Sequence, residues 1–383
     1  MRSSGSSSRA DGAALPTRAA AAIPAEAALR AAGLQAGVAL LAAGLATALL
    51  AIGWLALPVR ALADAVPTAA PTLLDAVDHW SFDPTIQVPA ILSALAYLYG
   101  VRLVGARHPG NPVPLARTLA FLGGLVVIEI ATQGPIDYYE ATLFSVHMAQ
   151  HLLLMMVAAP LLVMGAPITL LLRVAPPDVR NRRILPLLHS RPLRVLTHPL
   201  VASAMFAGAL WVSHFSPIYE LALENDTVHN FEHLAFLVAA LLFWWPMVGR
   251  DPGPWHLSPP VRLAAMLLQM AQGAFLGVAI MNARAPLYAH YADLHLAWIR
   301  AIDDQQLAGA IMWGAGGVGF LVLSLLVFYE WMRTEEQAAA RVDARLDREA
   351  RAAASAALTA SAALTASAVP TAETEEAAPA EDA

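Results

Sequence analysis

Two pairs of histidines, each with its members four positions apart, are the residues in this sequence best suited to metal chemistry. His147 and His151 open an apolar run that continues to Pro167, and His229 and His233 lie in the segment VHNFEHLAF. Residues at positions i and i+4 share one face of a helix, so each pair can present two imidazoles to a single ion. Because polar side chains are costly within membrane-length apolar segments, each pair predicts a functional site.

The composition limits the ligands that such a site can use. The sequence contains no cysteine and 12 methionines. A thiolate site and a disulfide framework are therefore excluded, and a metal must be held by imidazole, thioether, carboxylate or carbonyl groups. Histidine and methionine suit soft cuprous copper, and imidazole binds either oxidation state of copper.

Four further residues are candidates for the same site. His214, at the end of the apolar segment between the two pairs, is a candidate fifth ligand, although a single histidine near a helix end more often packs or hydrogen-bonds than binds a metal. Met148 is more typical of helix packing than of ligation. Gln150 and Glu232 lie between the members of the two pairs, where they can orient the imidazoles or form interhelical hydrogen bonds.

The overall composition is that of a polytopic membrane protein. The chain has 383 residues, of which 58% are hydrophobic and only 14% are charged, whereas soluble domains usually carry about 25% charged residues. The formal net charge is -6, so no nucleic-acid partner is expected. Since backbone polar groups must be satisfied inside a bilayer, the repeated apolar runs predict an all-α transmembrane helix bundle.

Eight apolar segments are long enough to be transmembrane helices. They lie near residues 34–57, 88–104, 117–133, 147–167, 200–215, 229–246, 262–281 and 307–331. We expect residues 1–30 to form a disordered basic arm. In the tail at 335–383, the charged first part can extend the last helix, and the low-complexity remainder is expected to be disordered. The organisation is thus an arm, an extra span at 34–57, a seven-span domain at 78–333 and a tail.

The distribution of arginines predicts the orientation of the bundle. The most basic loop, between the fourth and fifth spans, carries Arg173, Arg180, Arg182, Arg183, Arg191 and Arg194. By the positive-inside rule this loop is cytoplasmic, and counting spans from it places both termini in the cytoplasm. The same count places both histidine pairs and His214 at the outer ends of the fourth, fifth and sixth spans. The predicted metal site therefore lies in the outer leaflet and opens toward the outer face.

Three segments and a short loop together resemble a known family. The segments HMAQHLLLMMVAAPLLVMGAP, VHNFEHLAFLVAALLFWWP and DDQQLAGAIMW, with the loop sequence WSFDP from Trp80 to Pro84, are similar to those of the multi-spanning CtaG-like cytochrome c oxidase assembly factors. The resemblance covers roughly residues 78–333, which are seven of the eight predicted spans. The extra first span, the arm and the tail depart from the family pattern.

The resemblance implies a bacterial cytoplasmic-membrane protein that helps to mature a haem-copper oxidase by loading copper into its catalytic subunit. The implied role is non-enzymatic, and the implied partners are that subunit, other assembly factors and the lipid bilayer. The family's residues of interest match here at His147, His151, His214, His229, His233, Asp304, Gln305 and Trp313. A site that hands on its ion is expected to be open and incompletely coordinated.

Three other interpretations use the same residues. A b-type haem held by histidines on facing helices, such as His151 and His233, would make the protein an electron carrier. A zinc ion at the same histidines, with an open water position and Glu232 or Asp304 as general base, would make it a membrane hydrolase. The third is a structural scaffold without metal. For Asp304, stabilisation of a helix N-terminus is the simpler role.

Overall fold

The computed structural model describes residues 69–72 and 79–367, and within these ranges every regular element is helical, which confirms the predicted all-α class. The α-helices in chain order are α1 Pro84–Arg107, α2 Leu115–Gln133, α3 Pro135–Glu140, α4 Phe144–Leu152, α5 Ala159–Met164, α6 Pro167–Val174, α7 Pro177–Val179, α8 Leu185–Leu188, α9 Arg191–Leu196, α10 Pro199–His214, α11 Pro217–Glu224, α12 Asp226–Val248, α13 Pro259–Met281, α14 Ala289–Asp293 and α15 Ala301–Ser367. Two π-helical segments, Leu153–Ala158 and Arg180–Ile184, connect α4 to α5 and α7 to α8. The predicted arm at 1–30 and the extra span at 34–57 lie outside the described residues.

Six helical segments of the described chain are long and apolar enough to cross a membrane. They are Pro84–Arg107, Leu115–Glu140, Phe144–Val174, Asp226–Val248, Pro259–Met281 and Ala301–Ala360. The helices α10 and α11, which meet at a bend of 70°, add a seventh if the pair is counted as one span. Each of the seven spans predicted between residues 78 and 333 thus corresponds to a helix or to this bent pair.

The two segments that carry the histidine pairs are the most enclosed of the six. In an apolar 18-residue stretch of Phe144–Val174, 44% is buried inside the protein, and in the corresponding stretch of Asp226–Val248 the buried share is 50%. The corresponding share in the other four segments is only 17–28%. The histidines therefore lie on helices that face protein rather than lipid over much of their surface.

The stretch 147–167, which the sequence predicts as one continuous span, is interrupted twice. The chain leaves α4 for the π-helical segment Leu153–Ala158, and α5 is followed by Ala166, whose φ of 53° is left-handed. Two prolines explain the interruptions. Pro160 has no backbone N–H and cannot donate a hydrogen bond to a carbonyl of the preceding turn. Pro167 disfavours the α-helical conformation in the residue before it, Ala166.

A side chain from α12 compensates for the hydrogen bond that Pro160 cannot make. In a π-helix the N–H of residue 160 would bond the carbonyl of Met155, five positions earlier. That carbonyl instead accepts the indole N–H of the fully buried Trp244 at 2.8 Å. The break in one central segment is thus stabilised by the other.

The start of α6, directly after the left-handed Ala166, is capped from a distant loop. The Asp251 carboxylate accepts hydrogen bonds from the backbone N–H groups of Ile168 (3.0 Å) and Thr169 (2.5 Å). Burial raises the pKa of this carboxyl above its usual range even though these bonds favour its ionised form. The cap fixes where the chain leaves the central segment.

Two glycines allow α13 and the first part of α15 to approach closely. A Cβ atom at Gly277 would lie 2.8 Å from the carbonyl oxygen of Gly309, and one at Gly309 would lie 2.5 Å from the carbonyl oxygen of Gly277. Small residues at such crossings are the usual means of packing helices in membranes. The short distances mean that neither position tolerates a side chain without separation of the helices.

The last helix extends much further than the sequence analysis expected. It continues to Ser367, through most of the Ala/Ser/Thr-rich stretch predicted to be disordered. This stretch, AAASAALTASAALTAS at residues 352–367, is mainly alanine, the strongest helix former, which explains the extension. The described residues divide into two compact units, one up to residue 325 and one from residue 326 onward. The described side chains from 332 to 360 are exposed.

Candidate metal centre

The four paired histidines form one cluster. His147 and His151 from α4 and His229 and His233 from α12 each offer a ring nitrogen, and these atoms all lie within 4.8 Å of one another. The side chains are buried, with exposed fractions of 0%, 2%, 8% and 8% in that order. The prediction that the two pairs come together is therefore confirmed. The prediction of an open site is wrong, because all four side chains are buried.

The first histidine of each pair is the fourth residue of its helix, close to an N-terminus whose contacts fix its position. Asn225 begins α12, and its side chain accepts from the backbone N–H groups of Thr227 (3.0 Å) and Val228 (3.2 Å). The start of α4 lacks such a local cap. Its Ser145 N–H is instead bonded by the carboxylate of Asp304 from α15, at 3.3 Å.

The ring contacts show how compact the cluster is. The centroid distances are 4.3 Å within the His147–His151 pair, 4.1 Å within the His229–His233 pair, and 4.9 Å from His147 to His229. In a tetrahedral site with metal–nitrogen bonds of 2.0–2.1 Å, the nitrogens would be about 3.3 Å apart. Small side-chain rotations are enough to reach that spacing, so the residues fit an ion.

The hydrogen bonds of His147 assign its tautomer. Its Nδ1 lies 3.1 Å from the Tyr291 hydroxyl, which itself donates to the Glu140 carbonyl at 2.9 Å, and 3.0 Å from the Glu140 carboxylate. Burial raises the pKa of the Tyr291 hydroxyl well above its usual range, which keeps it protonated as that donor. Both neighbours of Nδ1 are therefore acceptors, so Nδ1 carries the proton. The lone pair of Nε2 then faces the cluster.

His151 holds the proton that an ion would displace. Its Nε2 lies 2.9 Å from Nε2 of His147 and must donate to that lone pair. Its Nδ1 has no hydrogen-bond partner among the described residues. For an ion to bind Nε2 of His151, this proton must move to the unpartnered Nδ1 of the same ring, so that the neutral imidazole turns its Nε2 lone pair toward the ion.

Gln150 connects α2 to the second histidine pair. Its amide N–H₂ donates to the carbonyl of Ala131 at 2.9 Å, which turns its oxygen toward Nε2 of His233 at 3.0 Å. His233 therefore carries its proton on Nε2 and its lone pair on Nδ1.

Two buried carboxylates border the four rings. Glu232 places Oε2 at 3.9 Å from Nε2 of both His147 and His151, and its Oε1 accepts the Ser213 hydroxyl. That Oε2 has no hydrogen-bond partner in the described part of the chain. Glu140 lies 3.6 Å from Nε2 of His229. These two carboxylates would supply the negative charge that compensates a cation bound among the four neutral imidazoles.

Comparisons with known proteins show which family the sequence matches. Residues 95–334 match the family described as cytochrome c oxidase caa3 assembly factor. The chain belongs to this family. Uncharacterized proteins of Mycobacterium bovis and Mycobacterium tuberculosis are each 32% identical to it over 285 residues, which are 72% of this chain and 43% of each relative. A Mycobacterium leprae protein is 31% identical over 276 residues. The chain spans less than half the length of these relatives, and no solved structure matches it.

The remaining predicted site residues lie outside the four-nitrogen group. The His214 ring is 6.4 Å from that of His151, its Nδ1 bonds the Leu210 carbonyl at 2.7 Å, and its Nε2 lies 3.4 Å from the sulfur of Met148. His214 and Met148 thus lie next to the cluster. Their assignment as ligand and supporting residue stays a prediction.

Asp304, Gln305 and Trp313, the family residues of the last span, lie on α15, and the first two hold neighbouring segments in place. Asp304 bonds the first turn of α4, as described above. The Gln305 side chain accepts the Leu287 N–H at 2.7 Å and donates to two carbonyls at 3.3 Å, which holds the loop before α14. Trp313 is 53% exposed. A Cβ at Gly277 would lie 3.2 Å from its Cβ, so Trp313 is at the helix crossing rather than at the cluster.

Two residues of the site, Glu140 and Tyr291, are not among the predicted ones. Glu140 ends α3, and residues 141–143 separate it from α4, so helical periodicity does not relate it to His147; its only sequence signal is an acidic position just before the apolar run. Tyr291 offers no such signal, because 144 residues separate it from His147. Only the fold brings its hydroxyl to the imidazole.

Proposed function

We propose that this chain is a non-enzymatic assembly factor that binds one copper ion between α4 and α12 and passes it to the catalytic subunit of a haem-copper oxidase. The observation that carries the proposal is the group of four buried imidazole nitrogens within 4.8 Å of one another, in a chain of the cytochrome c oxidase assembly factor family. Copper is the cargo of this function rather than a resident cofactor.

The donor set supports copper as the ion. Four imidazoles bind both Cu⁺ and Cu²⁺, and the adjacent Met148 sulfur offers a soft donor to Cu⁺. Glu140 and Glu232 supply the negative charge that a buried cation requires. Because a carboxylate oxygen and an imidazole nitrogen at the site lack hydrogen-bond partners among the described residues, the metal-free arrangement leaves polar groups for an ion to satisfy.

The alternatives fit this geometry less well. A b-type haem between His151 and His233 needs a slot for a porphyrin, but their ring centroids are 5.4 Å apart and the other two histidines contact them. A zinc hydrolase needs an open water position that substrate can reach. The enclosed cluster offers no such position.

The proposed location is the bacterial plasma membrane, with the cluster toward the outer face. The family and the apolar helices support the membrane, and the arginine distribution of the sequence supports the orientation. There the protein would meet copper outside the cytoplasm and the oxidase subunit within the bilayer.

The test combines metal content with oxidase maturation. The detergent-purified parent is expected to bind one equivalent of copper, and the His147→Ala/His151→Ala variant to bind none while it remains folded. In a strain that lacks the natural gene, the parent should restore copper to the oxidase and the variant should not.

The exposed pair His108 and His256 provides a matched control. The His108→Ala/His256→Ala variant should bind copper and support the oxidase as the parent does. A metal-free parent that still restores the oxidase would overturn the proposal and leave the protein as a scaffold for assembly.

A further inference from the structure

A cavity of about 300 Å³ lies next to the metal centre. It is lined by residues of the chain between α14 and α15 and by the start of α15, with Thr142 from the loop before α4. His295 and Arg300 in its lining are exposed, whereas Tyr291 and Asp304 are buried. The cavity therefore runs from the protein surface toward the interior.

One lining residue has an unsatisfied charge-bearing atom. Asp304 is 3% exposed, and its Oδ1 has no hydrogen-bond partner among the described residues, while its Oδ2 accepts the Ser145 N–H. A buried acceptor without a partner is costly, and a carboxylate more so than a neutral group. A cation in the cavity would remove that cost.

A second lining residue joins the cavity to the histidines. Tyr291 belongs to the cavity wall, and its hydroxyl contacts Nδ1 of His147 at 3.1 Å. Its ring also stacks on Phe144, with centroids 5.6 Å apart. Rotation of this one side chain would bring the cavity next to the first histidine of the cluster.

We propose that this cavity is the entrance through which divalent copper reaches the four histidines. Asp304 is its first ligand there, and Tyr291 separates the entrance from the cluster. The inference rests on the proposed function, and it specifies the form in which the cargo arrives. The donors along the cavity are the Asp304 carboxylate, the Thr142 hydroxyl and the His295 imidazole. Oxygen and nitrogen donors suit Cu²⁺ better than Cu⁺, which prefers sulfur.

The one arginine of the cavity wall does not cancel this attraction. Arg300 forms a bidentate ion pair with Asp303, with both nitrogen–oxygen distances at 2.6 Å. Asp303 thereby neutralises Arg300 at the exposed end. The Asp304 carboxylate, which has no cationic partner among the described residues, lies at the buried end, where a negative charge attracts a cation inward.

The entrance is tested by the rate of Cu²⁺ uptake by the purified full chain, with bound copper measured at successive times after mixing. The Asp304→Asn variant keeps an acceptor for Ser145 but loses the charge, so uptake should slow by about tenfold or more. Its final copper content should equal that of the parent. Asp293→Asn is the control, because Asp293 is exposed and does not line the cavity.

A blocking experiment tests the same path without changing a charge. The chain has no cysteine, so an Ala292→Cys variant carries a single thiol on the cavity wall, and Ala297→Cys carries one at an exposed position outside it. After both are fully modified with a bulky maleimide, uptake should be blocked at position 292 and unchanged at position 297.

The outcomes separate this inference from the function on which it depends. If the parent takes up copper but Asp304→Asn and the modified Ala292→Cys variant take it up at the parental rate, the entrance is wrong and the copper site stands. A parental rate in either one alone removes the corresponding role, of Asp304 or of the cavity. If the parent takes up no Cu²⁺ at all, the entrance for divalent copper is wrong, and the copper content of the purified protein decides separately whether the four-histidine site stands.

Discussion

At the scale of single residues, the metal centre depends on charge as much as on its imidazoles. Four neutral histidines provide lone pairs, but an ion in a buried site also needs countercharge. The Glu140 carboxylate lies 3.0 Å from Nδ1 of His147 and 3.6 Å from Nε2 of His229. Glu232 lies 3.9 Å from Nε2 of both His147 and His151. The two carboxylates thus lie on both sides of the place that an ion would occupy.

We predict that Glu232→Gln weakens copper binding by about 10–100-fold, the usual effect of losing a polar neighbour of a metal ligand. The amide keeps the bond with Ser213 but removes the charge. Chelator-competition titration of the purified protein measures the change. Glu224→Gln, at an exposed glutamate at the end of α11, should bind as the parent does, and equal affinities for all three proteins would remove Glu232 from the site.

The residue-level predictions from sequence succeeded where the contact is local. The i,i+4 spacing identified both histidine pairs, whereas the supporting role of Gln150 and Glu232 stays a prediction. The contact of Asp304 with the start of α4 spans 159 residues. Such contacts depend on how the helices pack, so the sequence indicated the residue but not its partner.

At the scale of elements, the break in the central segment is stabilised by one indole. We predict that Trp244→Phe lowers the free energy of unfolding by at least about 1–2 kcal/mol, because the buried carbonyl of Met155 loses its donor and the smaller ring leaves part of the site unfilled. Unfolding of the detergent-solubilised protein in a denaturing detergent measures the loss.

Trp255→Phe is the matched control for that substitution. Trp255 donates to the Arg194 carbonyl at 2.8 Å, but this bond is exposed, so water can replace the donor. The expected loss is smaller than for Trp244→Phe. Equal losses in the two variants would show that the bond to Met155 does not stabilise the π-helical segment.

The helix crossing of α13 and α15 gives a second prediction at this scale. Gly309→Ala should destabilise the bundle, because its Cβ would lie 2.5 Å from the Gly277 carbonyl oxygen. In the same helix a Cβ at Gly314 meets nothing within 4 Å. Gly314→Ala should therefore be neutral or stabilising, by up to about 1 kcal/mol from helix propensity. A tolerated Gly309→Ala, measured by thermal unfolding in detergent, would argue against the close crossing.

The elements show where sequence patterns are sufficient and where they are not. Hydropathy placed α1, α2, α12, α13 and the start of α15 because membrane-length apolar runs have few other solutions. It did not reveal the π-helical segment, since LLMMVA is as apolar as any regular turn. Pro160 was the available signal. The long C-terminal extension was underestimated because low complexity was taken as disorder, although its residues favour helix.

At the scale of the whole molecule, the residues of the metal centre and nearly all of the family match precede the exposed end of α15 in the sequence. The family match ends at residue 334. We predict that a variant ending at residue 335 keeps the copper stoichiometry and the thermal stability of the parent, because the removed side chains described up to residue 360 are exposed. Loss of copper or of the folded state in this variant would show that the C-terminal unit supports the bundle.

The orientation of the bundle rests on sequence alone. The arginine distribution predicts it, whereas the described helices supply six spans, or seven with the bent pair of α10 and α11. Helix packing contains no information about which face meets the cytoplasm. This is why the outer position of the cluster remains a prediction from charge.

The most direct test of the central claim is X-ray absorption spectroscopy of the copper-loaded, purified protein. We predict a first shell of nitrogen donors at about 2.0–2.1 Å with the outer-shell pattern of several imidazoles. This signal should be absent from the His147→Ala/His151→Ala variant treated in the same way. An unchanged spectrum in that variant, or a first shell without imidazole in the parent, would contradict the assignment of copper to the four histidines.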